Sequence, residues 1–467
     1  MSKKNFLLFS IIILGIFFSI FIIFFDTFKN KIKDLARTLV MHEINHLKIL
    51  NNNISADFEN FTINTKNKFL NNDKLIYQTL EKYETQTFSI ELSKYLYPNF
   101  SYYDFGQKPV AYIEEINDKV LIVSGSGSFT FSDKKFFHKK NNKLEKLDTN
   151  FDEFINHSLL KIPSKSSIKD IFFDKEYLYL SFTDYFKEDC INISILRSKI
   201  NFTFLEFEKF ITLDECIKYD SYLNLHSSGG RITNFKDKLI ISIGEFQHRN
   251  LSQENLNYFG KILSVDKTNK KISLISKGHR NVQGLKYLEN YNIIISTEHG
   301  PLGGDEVNIN KLKNKKIKNF GWPISSYGEH YSEYITCFSE KNNNKQINVY
   351  EIISTEWAED CNSSPLNKSH KKFGYDEPIK YYVPSIGISE IIKYNNNSNE
   401  NIFIITSLRA NSIIFIEFDK NFDKIIKEEV IVINERIRDI IYSKKNDNYY
   451  LVLEDTPAIG IMKISKK

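Results

Sequence analysis

Two kinds of residue cluster in this chain have types and spacing suited to chemistry. The first is compact: His42-Glu43-Ile44-Asn45-His46. On a helix it would put two imidazoles on one face with a glutamate between them, the arrangement zinc peptidases use. The second is dispersed. It runs through His226-Ser227-Ser228-Gly229-Gly230-Arg231, then Gly278-His279-Arg280-Asn281-Val282-Gln283-Gly284, then Glu298-His299-Gly300-Pro301-Leu302-Gly303-Gly304-Asp305-Glu306-Val307-Asn308. Asn319-Phe320-Gly321-Trp322-Pro323, Leu408-Arg409 and Arg436-Ile437-Arg438-Asp439 follow. An imidazole that is neutral near pH 7 can take a proton, and arginine forks suit carboxylates bidentately. Residues this far apart in sequence act together only if the fold collects them.

A repeat supplies that fold. A turn containing Asp, Asn or Lys is followed by an apolar β run, often ending in Ser. The runs are Val120–Ser124, Tyr177–Ser181, Leu239–Ser242, Ile293–Ser296, Ile402–Ser407 and Tyr449–Leu453. Measured at the end of each run, the intervals are 57, 61, 54, 111 and about 46 residues. Spacings of this size, with several strands in each, are the signature of propeller blades. Six copies predict an all-β, six-bladed β-propeller with a long insertion between the fourth and fifth. A continuous apolar run is expected to be an inner strand buried between neighbouring blades. A pair of β-sandwiches is the alternative on pattern alone. In a propeller, loops at one end of the inner strands surround a central channel, so the dispersed clusters are expected to meet there.

The N-terminal part reads differently. Residues 6–25 form an apolar run preceded by Lys3 and Lys4. Twenty helical residues span a bilayer core of roughly 30 Å. No small-residue cleavage site follows, so an uncleaved signal anchor is expected over a removed signal peptide. Lys29, Lys31, Lys33 and Arg37 leave the orientation open by charge counting. Ile32, Leu35, Leu39, Val40, Ile44 and Leu47 recur at helical spacing. The His42–His46 motif therefore falls on a stalk helix with no compact domain around it and no third ligand in a second helix. An amphipathic stalk is the favoured reading of that motif, and a metallopeptidase the disfavoured one. The expected domains are 1–27, a cytoplasmic tip and transmembrane anchor; 28–104, a stalk, helical and then irregular; and 105–467, the propeller.

The charge balance, 63 basic against 58 acidic residues for a net +5, gives no case for nucleic acid. Cys190, Cys216, Cys337 and Cys361 contain no CxxC metal pair and fall into two couples. Two disulfides, Cys190–Cys216 and Cys337–Cys361, would place the propeller in an oxidising compartment, the periplasmic side of a bacterial inner membrane.

Taken in order, His-x-x-Gly-Gly-Arg, Gly-His-Arg-Asn-x-Gln-Gly, Glu-His-Gly-Pro-x-x-x-Asp-Glu-x-Asn, Asn-x-Gly-Trp-Pro and Arg-x-Arg-Asp resemble the PQQ-dependent glucose/sorbosone and aldose sugar dehydrogenases. The resemblance covers about residues 105–467. It implies an oxidoreductase that oxidises an aldose at C1 to its lactone, with PQQ and Ca²⁺ as cofactors and a respiratory quinone or cytochrome as electron acceptor. By the same resemblance His226 is the general base. Arg280, Asn281, Arg409, Arg436 and Arg438 grip the three carboxylates of PQQ, with His299 beside them, and Gln283 lines the substrate pocket. The carbonyls of Gly300 and Pro301 ligate the Ca²⁺ that touches PQQ, and Asp305 and Glu306 a second, structural one. Trp322 is expected to pack rather than touch the cofactor. The chain departs from the family at Glu245, where Asp is usual, at Val383, where some members carry Trp, and at Leu225, where an acidic residue can occur. The competing reading is a non-catalytic membrane-anchored propeller that binds a glycan or a protein.

Overall fold

Five of the six apolar runs start just after a residue with positive φ: Asn117, Lys175, Lys236, Asn292 and Asp447, with φ between 50° and 81°. Such a residue reverses the chain tightly, and Asn and Asp tolerate it best among non-glycines. The run that follows is rich in β-branched residues and pairs back on the strand before it.

The computed structural model describes residues 74–97, 110–125, 127–134, 142–155, 168–187, 190–218, 226–301, 303–314, 316–328, 369–394 and 400–467. The apolar run 6–25, the stalk helix with His42–His46, Cys337, Cys361 and Leu225 lie outside the described residues. Among the described residues no helix is long and apolar enough to cross a membrane.

Six antiparallel sheets follow one another along the chain. Blade one comprises Ala111–Ile116, Lys119–Ser124, Phe129–Asp133 and Glu145–Lys146, and blade two Ile168–Phe173, Tyr177–Lys187, Cys190–Lys199 and Glu208–Thr212. Blade three is Gly229–Phe235, Lys238–Ile243, Lys261–Asp266 and Ile272–Lys277; blade four is Val282–Leu288, Ile293–Glu298, Asp305–Lys311 and Lys380–Tyr382. Blade five is Ile388–Lys393, Ile402–Ser407, Ser412–Phe418 and Ile425–Val432. Blade six opens with Ile437–Ser443, Asn448–Leu453 and Ala458–Lys466. The first strands of the blades touch one another in cyclic order, and the sixth touches the first, so the ring closes. The insertion expected after the fourth run falls between the third and fourth strands of blade four.

Two expectations change. The apolar runs are the second strand of each blade; the strand at the axis is the one before. The second strands are the more apolar because each is covered on both faces by adjacent blades. The buried apolar side chains accordingly fall into six clusters among the described residues, each shared by two neighbouring blades. The propeller also begins earlier than residue 105. Phe88–Leu96 pairs antiparallel with Ala458–Lys466, from Phe88 opposite Lys466 to Leu96 opposite Ala458, and Lys74–Glu84 adds outside it. Residues 74–96, expected as irregular stalk, thus complete blade six and tie the start of the ring to its end. The disulfide expected between Cys190 and Cys216 is present, with Cα atoms 5.5 Å apart, and links the third strand of blade two to the segment beyond its fourth.

Candidate functional site

Five of the six axial strands begin with a β-bulge. Pairing slips between Ile168 and Asp170, Gly229 and Ile232, Val282 and Gly284, Ile388 and Ile391, and Ile437 and Asp439. A bulge inserts a residue and re-aims the side chains around it. The inserted residues are Lys169, Gly230 with Arg231, Gln283, Ser389 with Glu390, and Arg438. Two of them, Gln283 and Arg438, belong to the expected site. All the bulges lie at the same end of the barrel, where the second strands finish and the dispersed motifs begin.

A chain of hydrogen bonds joins those motifs around the mouth. The Gly229 N–H donates to Asn281 Oδ1 at 3.1 Å, and Gln283 Nε2 donates to the same oxygen at 2.9 Å. Arg438 Nη1 reaches Gln283 Oε1 at 3.4 Å. The Nε atoms of Arg438 and Arg436 both donate to the Glu454 carboxylate, at 2.6 and 3.1 Å. Arg436 Nη1 donates to the Leu408 carbonyl at 3.1 Å, and the Arg409 N–H to Ile386 O at 2.9 Å. The Ile388 N–H, at 3.0 Å, and the Gly300 N–H, at 3.1 Å, both donate to Asp305. Arg280 Nη1 donates to the carbonyls of His299 and Gly300, at 3.2 and 2.9 Å. The His299 N–H returns to Asn281 O at 3.0 Å. His226 is half-buried in the bend that leads to Gly229.

Carboxylates stand behind the guanidiniums. Glu454 is buried beneath Arg436 and Arg438, and Glu245 beneath Arg280, with Arg280 Nε 3.7 Å from Glu245 Oε1. The Trp322 indole N–H donates to Glu245 Oε2 at 2.8 Å, and its ring lies 5.2 Å from the Arg249 guanidinium and 5.6 Å from that of Arg280. Trp322 is thus buried packing that also fixes Glu245. Burial pushes the Glu245 carboxyl above its ordinary pKa against the pull of Arg280 and Trp322. Burial likewise holds His299 below its ordinary value, opposed by Asp305 and helped by Arg280 and Arg438. Arg409 and Val383 are exposed.

The four residues expected to ligate calcium fit that role poorly. The Gly300 oxygen already accepts from the Arg280 guanidinium, so a cation bound to its other lone pair would sit beside a second positive charge. Pro301 is buried. Asp305 and Glu306 are adjacent in one strand and point to opposite faces. Asp305 accepts from Gly300 N, Ile388 N and Ser385 Oγ, the last at 2.6 Å, and so braces blade four against blade five. Glu306 Oε1 lies 2.9 Å from His370 Nε2, and Asn308 Nδ2 donates to Glu306 Oε2 at 3.3 Å. The His370 side chain in turn meets Ser325 Oγ at 2.8 Å. Among the described residues no group of three or more His, Cys, Asp or Glu side chains could hold a metal ion.

Sequence reasoning missed Glu454, although it follows the sixth run and the rule that polar residues after each run converge would have found it. It also missed Asp170 and Glu390, single acids inside apolar axial strands.

Fold and site together define a six-bladed β-propeller whose axial mouth is lined with guanidinium groups. The chain belongs to the glucose/sorbosone dehydrogenase family, whose model matches residues 165–351 and 350–462. It is 25% identical over 261 residues to the aldose sugar dehydrogenase YliI of Escherichia coli K12, covering 52% of this chain and 60% of that protein. The chain therefore spans three fifths of that relative's length. Among solved structures it resembles the apo soluble aldose sugar dehydrogenase of Escherichia coli, with TM-score 0.55, 18% identity, and coverage of 76% of this chain and 95% of the other. It also resembles the PQQ-bound aldose sugar dehydrogenase of Streptomyces coelicolor, with TM-score 0.50, 16% identity, and coverage of 77% and 96%. At these identities the structural likeness bears on the fold.

Proposed function

We propose that this protein is a PQQ-dependent oxidoreductase that oxidises an aldose at C1 to its lactone. The observation that carries the reading is the mouth itself: Arg280, Arg409, Arg436 and Arg438 gathered from three loops, with Glu245 beneath Arg280 and Glu454 beneath Arg436 and Arg438. That surplus of fixed positive charge suits a planar ligand with three carboxylates, and Asn281 and Gln283 add amide donors. When bound, PQQ supplies an ortho-quinone that accepts a hydride.

The protein's own residues do the rest. Glu454 holds two guanidiniums in place before any ligand arrives, so little ordering is left to binding. The Gly229–Asn281 bond fixes the bend carrying His226 against the loop that carries Arg280. His226, as a neutral imidazole, takes the proton of the sugar's C1 hydroxyl as the C1–H bond gives up its hydride and the carbonyl forms. His299, held neutral by burial, adds no charge that would compete with the arginines. No step is assigned to calcium, because the Arg280 guanidinium lies against the Gly300 oxygen, one of the two expected to hold it. Glu245, buried beneath Arg280, positions that guanidinium, and the exposed Val383 borders the sugar pocket.

The 6–25 run is proposed as a signal anchor, with the propeller in the periplasm and electrons passing to a respiratory acceptor. The Cys190–Cys216 disulfide supports an oxidising compartment. Apoprotein incubated with PQQ, a panel of aldoses and a redox dye tests the reading. Dye reduction that is lost in His226→Ala supports it; PQQ binding with no dye reduction for any aldose favours the non-catalytic propeller.

A further inference from the structure

Directly beneath the mouth, the Arg231 guanidinium touches residues from all the other blades. Its Nη1 lies 3.0 Å from Asp170 Oδ1 of blade two, 3.2 Å from Glu390 Oε2 of blade five and 3.1 Å from Asp439 Oδ1 of blade six. Its Nε donates to the main-chain oxygen of Gln283 in blade four at 2.7 Å, and its Nη2 to the main-chain oxygen of Arg438 in blade six at 3.2 Å. The Tyr112 ring of blade one stands 5.2 Å away. Two of the carboxylates carry the ties further: Asp439 Oδ2 accepts from the Ile113 N–H at 3.0 Å, and Asp170 Oδ2 from the Ile232 N–H at 2.8 Å. Arg231 is only 3% exposed.

The local sequence is built to place it. Gly230 has φ of +102°, and a Cβ there would collide with the Cβ of Lys169. Only glycine lets the bulge of blade three come close enough to the axis for the next side chain to reach every neighbour. The partners Asp170, Gln283, Glu390, Arg438 and Asp439 lie in or beside the bulges of their own strands.

Two of these contacts go to the backbone of the site. Gln283 and Arg438 are neighbours in the ring of hydrogen bonds at the mouth, and Arg231 holds both by their carbonyl oxygens. We propose that Arg231 is a positioning residue for the cofactor: a guanidinium that aims the Gln283 and Arg438 side chains upward by fixing their main chain, without itself touching the ligand. The inference rests on the reading of the mouth as a PQQ site. The buried carboxylates of Glu390, Asp170 and Asp439 around it keep the guanidinium charged and in place, and burial pushes Asp170 up to about 7 against the pull of Arg231.

The test compares wild type, Arg231→Ala and Arg231→Lys by titrating PQQ into apoprotein and following its absorbance, with circular dichroism to verify folding. Folded Arg231→Ala is expected to bind PQQ at least about tenfold more weakly, equivalent to ~1.4 kcal/mol. Millimolar guanidinium chloride should restore the affinity by filling the vacated site, whereas equal NaCl should not. Lys has one ammonium and cannot hold both carbonyls and three carboxylates, so Arg231→Lys should also bind more weakly while remaining folded. That variant carries the test if Arg231→Ala does not fold. Wild-type affinity in either folded variant, or a loss that guanidinium does not repair, overturns the proposal. A wild type that fails to bind PQQ refutes the functional reading as well, which keeps the two failures apart.

Discussion

The mouth of the propeller and the layer just beneath it use the same side chain to opposite ends. At the mouth, Arg436 and Arg438 share the buried Glu454, Arg280 stands over the buried Glu245, and Arg409 is exposed to solvent. One layer down, a single arginine is enclosed by three carboxylates and two carbonyls. The excess is cationic above and anionic below. A surplus of exposed positive charge is chemistry waiting for an anionic ligand. A surplus of buried negative charge is structure, held by hydrogen bonds that leave nothing for a ligand. The difference separates substitutions that should change binding directly from those that should act first on stability and reach binding only through the Gln283 and Arg438 main chain.

The largest effect is expected in the lower layer. Asp439→Ala removes a partner of Arg231 and the acceptor of the Ile113 N–H, and should cost roughly 3–5 kcal/mol of stability in chemical denaturation. Loss of PQQ affinity with unchanged stability would erase the distinction between the layers. Next is Arg438→Ala at the mouth. It should weaken PQQ binding by roughly 2–4 kcal/mol with a much smaller change in the denaturation midpoint. The pH dependence of stability sharpens the same contrast. Asp170 has a folded-state pKa of about 7, above its ordinary value. Its contribution is therefore fully present below about pH 4 and fades as pH rises towards 7. Asp170→Asn should remove that component, so a stability curve over this range with the wild-type slope would contradict the assignment. Glu454→Gln should loosen Arg436 and Arg438 and weaken PQQ binding by about 1 kcal/mol. Arg409→Lys should have the smallest effect, within about threefold in PQQ affinity, because the side chain is exposed and either residue supplies the charge.

Much of the ring was legible in the sequence because each blade carries one long apolar strand. The runs at Ile293–Ser296 and Ile402–Ser407 are covered on both faces, and that burial writes itself as unbroken Ile and Phe. The closing strands were not legible. Lys74–Glu84 is an outer strand with one mostly exposed face, and its partner Phe88–Leu96 pairs with residues about 370 positions away. Local pattern carries no trace of such a pairing. At the site, Arg280, Asn281, Gln283, His299, Arg436 and Arg438 were found by motif, and the hydrogen bonds bring them together. The calcium role of Asp305 and Glu306 came from the family resemblance alone; the strand sends the two side chains to opposite faces, one to Gly300 and Ile388 N–H groups and the other to His370. Asp170 and Glu390 looked like isolated charges; only the bulges, invisible in sequence, turn them towards the axis.

Equilibrium titration of the apoprotein with PQQ, wild type beside Arg438→Ala, tests the central claim most directly. Saturable wild-type binding at micromolar cofactor or below, weakened in the variant by tens to hundreds of times, is the expected result. Absence of wild-type binding at micromolar PQQ, or identical curves for the two proteins, would contradict it.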